Sequence, residues 1–197
     1  MKIKNIALVG NPNCGKTSLF NTLTGTRQKV ANYAGVTVER KEGSFKLPSG
    51  DAVRVLDLPG TYSLKPSSLD EEVTRAVCLG ELKGEILPDI FICVVDATNL
   101  SLHLSLVLEV RALNRPMILV LNMMDEVKKR GISIDKDKLS QLLGIPVVEA
   151  VAVKTKGIQD LINQLDQKNL FITPYHSELS HFEQVKQITK QVILNND

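Results

Sequence analysis

Short apolar runs of strand length alternate along this chain with segments of helical period. Ile3 to Val9 is a β-type run, followed by a Gly-containing turn and then Lys16 to Leu23 in helical pattern. Val38 to Leu47 and Ala52 to Leu58 flank Pro48-Ser49-Gly50, which predicts a hairpin. Asp70 to Leu82 opens with acidic residues, as the positive end of a helix prefers. Further on come a strand (Ile90 to Val95), a helix (Ser101 to Leu113) and a strand (Met117 to Leu121). A helix over Lys138 to Leu143 stops at Gly144, Pro146 to Val151 is a strand, and Ile158 to Leu165 closes the series as a helix.

Continuous apolar strands separated by helices predict a mostly parallel sheet covered on both faces, an α/β fold. Six strands are expected, one of them an antiparallel edge strand from the hairpin. The texture changes at Asn169 to Ser177, and Glu178 to Leu194 resumes a helical pattern outside the alternation. This divides the chain into a first domain over residues 1–167 and a helical extension over 168–197.

Composition narrows the picture. A net charge of +2 gives no support to a nucleic-acid partner or a general membrane-surface role. Cys14, Cys78 and Cys93 form no CxxC pair, which argues against a disulfide scaffold or a structural zinc site. The N-terminus runs directly into the first strand without a signal-peptide pattern. The longest apolar stretches fall far short of the roughly 20 residues a bilayer span requires.

The chemistry begins with Gly10-Asn11-Pro12-Asn13-Cys14-Gly15-Lys16-Thr17, which fits GxxxxGK[ST] and lies between the first strand and the first helix. In such a loop, glycines let the backbone turn its N–H groups toward phosphate oxygens. Lys16 supplies charge to the β- and γ-phosphates, and the Thr17 hydroxyl is a Mg²⁺ ligand. The helix over Lys16 to Leu23, with Ser18 in its first turn, adds its positive end. Asp57-Leu58-Pro59-Gly60 follows one hairpin later. There Asp57 can hold the Mg²⁺ shell, and Gly60 can offer its N–H to the γ-phosphate. Asn122-Met123-Met124-Asp125 ends a later strand. The Asp125 carboxylate can accept from N1–H and N2–H₂ of guanine, a donor pair that adenine lacks, so GTP or GDP is favoured over ATP.

The order of these elements resembles the Ras-like, TRAFAC-type GTPases, which implies a Ras-like P-loop GTPase fold. By that resemblance Thr37, with Gly35 and Val36, is the switch I threonine that completes the Mg²⁺ shell. Val151-Ala152-Val153 is then the last base-contacting loop, with Ala152 acting through its N–H. Met123 stands where a lysine usually covers the base. Gly10 to Thr17, Asn32 to Glu39, Asp57 to Leu64 and Asn122 to Asp125 together resemble the G domain of the FeoB family of bacterial ferrous-iron transport proteins, over Met1 to about Gln167. Tyr33 replaces a usual tryptophan.

That resemblance implies a GTP-binding switch at the cytoplasmic face of the bacterial inner membrane, acting on a transmembrane iron-transport domain that would follow in the same protein. Assembly around a shared pore is conceivable on the same ground. A Ras-type glutamine after DxxG is replaced by Thr61, so slow hydrolysis is expected. Catalysis would fall to Thr37, Gly60, Lys16 and Asn13. The resemblance gives Asn13 a K⁺ ion to hold beside the phosphates; a loop-shaping polar residue is the equal alternative. For Asp70 and Glu71, helix-end charge is the simpler reading than a role near the water network. His103, His176 and His181 lack metal-ligand spacing. Two other functions stay open. One is a free-standing ribosome- or tRNA-associated GTPase, which the missing basic stripe disfavours. The other is a guanine-nucleotide sensor with negligible turnover.

Overall fold

The computed structural model describes residues 2–151, 155–167, 170 and 173–195. In chain order the elements are β1 (Asn5–Gly10), α1 (Lys16–Thr24), β2 (Gln28–Asn32), β3 (Glu39–Lys46), β4 (Ala52–Asp57), α2 (Leu69–Leu79), β5 (Ile90–Asp96), α3 (Leu100–Arg111), β6 (Met117–Asn122), α4 (Met124–Lys129), β7 (Ile132–Ile134), α5 (Lys136–Leu143), β8 (Val147–Glu149), α6 (Gln159–Asp166), α7 (His181–Val192) and β9 (Ile193–Asn195). The main sheet has the order β2-β3-β4-β1-β5-β6-β8, with β3 antiparallel to both of its neighbours.

Strict alternation within the strands divides the core. Ala7 and Val9 of β1, Phe91, Cys93 and Val95 of β5, and Leu119 and Leu121 of β6 face one layer, with residues of α2, α3, α5 and α7. Ile6, Leu8, Ile90, Ile92, Val94, Ile118 and Val120 face the other, against α1 and α6. Both faces are therefore dry, which is why the strands read as unbroken apolar runs. The parallel ladder between β1, β5 and β6 brings their C-terminal ends to one rim.

The α/β reading holds, but the sheet has seven strands rather than six. The added strand is β2, paired with β3 from Gln28↔Gly43 to Asn32↔Glu39. It therefore lies outside β3, and β3 is not the edge strand. All but the first of the five β2 residues are exposed, so no apolar periodicity marked it. A second sheet, β7 with β9, joins Ile132–Ile134 to the C-terminal segment.

The C-terminal segment packs on the same helical layer that covers the sheet. Ile188 and Val192 belong to the larger apolar cluster, and α7 lies against α3 and α5. Arg111, wholly buried, is the polar anchor. Its Nε donates to the Leu143 carbonyl at 2.7 Å, its Nη2 donates to the Thr173 carbonyl, and its guanidinium lies 5.3 Å from the Tyr175 ring centroid. The Tyr175 hydroxyl in turn donates to Gln184 Oε1 at 2.5 Å. Substituting Arg111→Leu should cost about 2–4 kcal/mol, because the buried Leu143 carbonyl and the partly buried Thr173 carbonyl lose their donor. Urea unfolding measures this, and hydrogen exchange should rise first in residues 173–195; an unchanged midpoint would contradict the anchor role.

Candidate functional site

The loop from Gly10 to Thr17 turns between β1 and α1 in a conformation the sequence had to permit. Asn13 and Gly15 have φ of 63° and 92°, both left-handed. At Gly15 a Cβ would lie 2.0 Å from Asn122 Nδ2, so only glycine fits. The same Asn122 amide donates to the Cys14 carbonyl at 3.0 Å, tying the end of β6 to the loop. At Gly10 a Cβ would meet the Val94 carbonyl at 2.6 Å, so β1 and β5 can close around the turn. No side chain caps the first turn of α1. Its N–H groups and partial positive charge are left for an anion.

Two adjoining cavities open at this point. One, of about 600 Å³, is lined by residues 11–13 and 15–18 with Gly60, Asp70 and Met123. The other, of about 230 Å³, is lined by Lys16, Thr17, residues 57–60 and Asp70, and on its far wall by Val38, Glu39 and Lys41. At their junction Lys16 Nζ sits 2.6 Å from Asp57 Oδ1, with side chains 9% and 3% exposed. The Thr17 hydroxyl donates toward Asp57 Oδ2 at 3.4 Å. Gly60 is pressed against Pro12, where a Cβ would fall 3.1 Å from its backbone. Asn11, only 2% exposed, has neither amide atom hydrogen-bonded. Burial raises the pKa of the Cys14 thiol, which keeps it neutral within the loop.

A third cavity, of about 190 Å³, has Met124, Asp125 and Lys128 on one side and Glu149, Ala150, Val151 and Gly157 on the other. Asp125 is exposed at its mouth. Met123, left-handed at φ 61°, links this cavity to the first. Ala152 and Val153, expected to contact the base, lie outside the described residues.

Switch I stands apart. Tyr33 and Val38 are buried, and the Tyr33 N–H donates to the Val38 carbonyl at 3.0 Å. The short loop between them leaves Gly35 and Thr37 exposed, and none of Gly35, Val36 and Thr37 lines either phosphate-side cavity. The Arg40 guanidinium lies 6.0 Å from the Tyr33 ring centroid and pairs with Glu85 and Glu42. Thr37 is exposed in this loop and lies outside the cavity lining that contains Asp57.

Thr61, in the place of a Ras-type glutamine, is fully buried. Its N–H donates to the Gly10 carbonyl at 3.1 Å and its hydroxyl to the Ser63 carbonyl at 2.6 Å. Its side chain shapes the turn and does not face the cavities. The next residues are pinned to α3, where Ser63 Oγ and Leu64 N donate to the Glu109 carboxylate. The two acidic residues after the switch differ in role. Asp70 lines both phosphate-side cavities, whereas Glu71 accepts from the Ser67 N–H and hydroxyl, which lowers its pKa. Among the described residues no group of three or more His, Cys, Asp or Glu could hold a metal. Sequence reasoning preferred helix-end charge for Asp70 over a role near the water network, named Glu39 only as the end of the switch I segment, and missed Lys41. Its signal lay in the hairpin register, which sets Lys41 opposite Asp57.

This geometry has counterparts in known proteins. The family model described as ferrous iron transport protein B matches residues 4–165. The Fe(2+) transporter FeoB of Salmonella typhimurium is 46% identical over 188 residues, and that of Escherichia coli 45%. Each alignment covers 93% of this chain but 23% of the relative, so the chain spans about a quarter of their length. The cytosolic domain of L. pneumophila FeoB superposes with a TM-score of 0.87 at 32% identity, covering 98% of this chain and 100% of that one. A GDP-bound mutant of the S. thermophilus FeoB G-domain gives 0.74 at 42% identity, over 83% of this chain and 60% of that one. The chain belongs to the FeoB family, and what it carries is that family's G domain.

Proposed function

We propose that this domain binds GTP with Mg²⁺, hydrolyses it slowly and thereby regulates ferrous iron passage through a membrane domain of the same protein, from the cytoplasmic face of the inner membrane. The carrying observation is the convergence of Lys16, Thr17 and Asp57 at the uncapped head of α1, with Asp125 at the neighbouring cavity. The Thr17 hydroxyl and the Asp57 carboxylate are hard oxygen donors 3.4 Å apart, a set that suits Mg²⁺. Bound there, the ion would neutralise charge on the β- and γ-phosphates.

The protein's own groups do the rest. Lys16 leaves Asp57 for the phosphates, the first-turn N–H groups of α1 and the Gly60 N–H hold phosphate oxygens, and Asp125 accepts from the guanine edge. Thr37 must swing inward to complete the metal shell. Thr61, committed to its turn, cannot orient a water, which supports slow turnover. It equally keeps open the reading of a sensor with negligible hydrolysis. The left-handed backbone of Asn13 in the lining of the larger cavity supports reading it as a K⁺ ligand beside the phosphates. The near-neutral charge argues against a nucleic-acid partner, and assembly into a homo-oligomer remains part of the iron-transport reading.

Calorimetric titration tests the base assignment. Asp125→Asn should weaken GTP binding about 10- to 100-fold and strengthen binding of xanthosine triphosphate, whose 2-oxo group accepts where guanine donates. Equal GTP affinity in wild type and variant would end the assignment. For catalysis, single-turnover hydrolysis should run faster in K⁺ than in Na⁺, and Asn13→Ala should erase that difference. Equal rates in the two salts remove the K⁺ role, and no hydrolysis in either favours the sensor.

A further inference from the structure

The geometry points to Lys41 as an internal stand-in for Mg²⁺: a lysine that neutralises Asp57 once nucleotide has drawn Lys16 away, and that competes with the metal for that carboxylate. This rests on the nucleotide-binding reading above.

Asp57 is 3% exposed, and its charge is balanced by Lys16 at 2.6 Å. When Lys16 transfers to phosphate, a buried carboxylate would be left unpaired, a state proteins tolerate poorly. Another cation must arrive. Among the described residues lining the 230 Å³ cavity, Lys41 is the only other basic side chain. The β3–β4 ladder sets Lys41 directly opposite Asp57. Residues so paired project from the same face of a sheet with Cβ atoms about 5 Å apart. Both side chains accordingly line the one cavity, where a four-carbon stem can carry the Lys41 ammonium toward the carboxylate.

Little holds Lys41 elsewhere. Its ammonium pairs with Glu39 Oε1 at 3.1 Å, with side chains 35% and 57% exposed. Such an exposed pair is weak and readily exchanged. Glu39 and Asp70 also line the cavity, so its wall carries more acid than the nucleotide-free ion pair uses. In this scheme Lys41 lets a nucleoside diphosphate bind without metal, and an arriving Mg²⁺ displaces the ammonium back to Glu39. The Mg²⁺ dependence of binding is thereby set by a protein side chain.

The test is the ratio of GDP dissociation constants in EDTA and in excess Mg²⁺, read with a fluorescent GDP analogue. Lys41→Gln should raise that ratio about three- to tenfold by removing one nearby charge, and should lower the Mg²⁺ concentration at half-saturation. Lys41→Arg should keep the ratio near wild type. A merely structural loss would weaken binding in both conditions and leave the ratio unmoved. A ratio unchanged or lowered in Lys41→Gln overturns the proposal. Failure of the wild-type protein to bind guanine nucleotide in Mg²⁺ instead overturns the reading on which it rests.

Discussion

The buried ion pair between Lys16 and Asp57 is the interaction around which the rest of the site is organised. Each partner sits at an element end, Lys16 at the head of α1 and Asp57 at the tail of β4. The parallel pairing of β1 with β4 and with β5 is what brings those ends to one rim. Breaking such a pair without replacement is expensive, by about 3–5 kcal/mol where one partner is simply removed. The nucleotide-free protein therefore stores a demand for exchange. Any ligand that takes Lys16 must come with, or find, a cation for Asp57. On the nucleotide-binding reading, anion and cation binding would be coupled through this single carboxylate.

Sequence made some of this legible and concealed the rest for physical reasons. The phosphate loop is contiguous, and its backbone dictates its residues. Gly15 could be recognised because a Cβ there collides with Asn122, and the strand cores because both faces of the sheet are dry. The edge strand β2 was invisible because its stability comes from pairing with β3, not from burial of its own side chains. Lys41 was read only as a hairpin residue, and Glu39 only as the end of the switch I segment. Their place in the cavity depends on a register that sets Lys41 against Asp57, and composition carries no trace of it. Asp70 looked like helix-end charge because its position in the first turn of α2 serves that purpose equally well.

The C-terminal segment shows the same limit in another form. The change of texture after residue 167 marks the helical extension, and α7 within it packs on the helical layer that covers the sheet. Ile188 and Val192 share an apolar cluster with β1 and β5, and β9 completes a ladder with β7. Arg111 is the element that a hydropathy pattern could not have assigned. On an amphipathic helix a lone arginine reads as surface, and here it is buried against two carbonyls and an aromatic ring. Its position on α3 matters for function, because Glu109, on the same helix, holds Ser63 and Leu64. The segment after Gly60 and the C-terminal helix thus grip one helix from two sides.

The two switches are tethered by different physics, and this decides which can respond first. The loop after Gly60 is fixed by hydrogen bonds to a carboxylate and by the buried Thr61, contacts that a rigid displacement of α3 would carry along. Switch I is fixed by burial of Tyr33 and Val38 and by a backbone bond between them. The Tyr33 hydroxyl has no partner among the described residues in its buried position, so the pocket returns less than a full hydrogen bond for holding it. An apolar latch with an unsatisfied polar atom is the weaker of the two. Drawing Thr37 toward Asp57 would cost the burial of Tyr33 and disturb the adjoining Arg40, which pairs with Glu42 and Glu85. On the nucleotide-binding reading, switch I is the element that would move toward Asp57, while the segment after Gly60 stays bonded to α3 through Glu109.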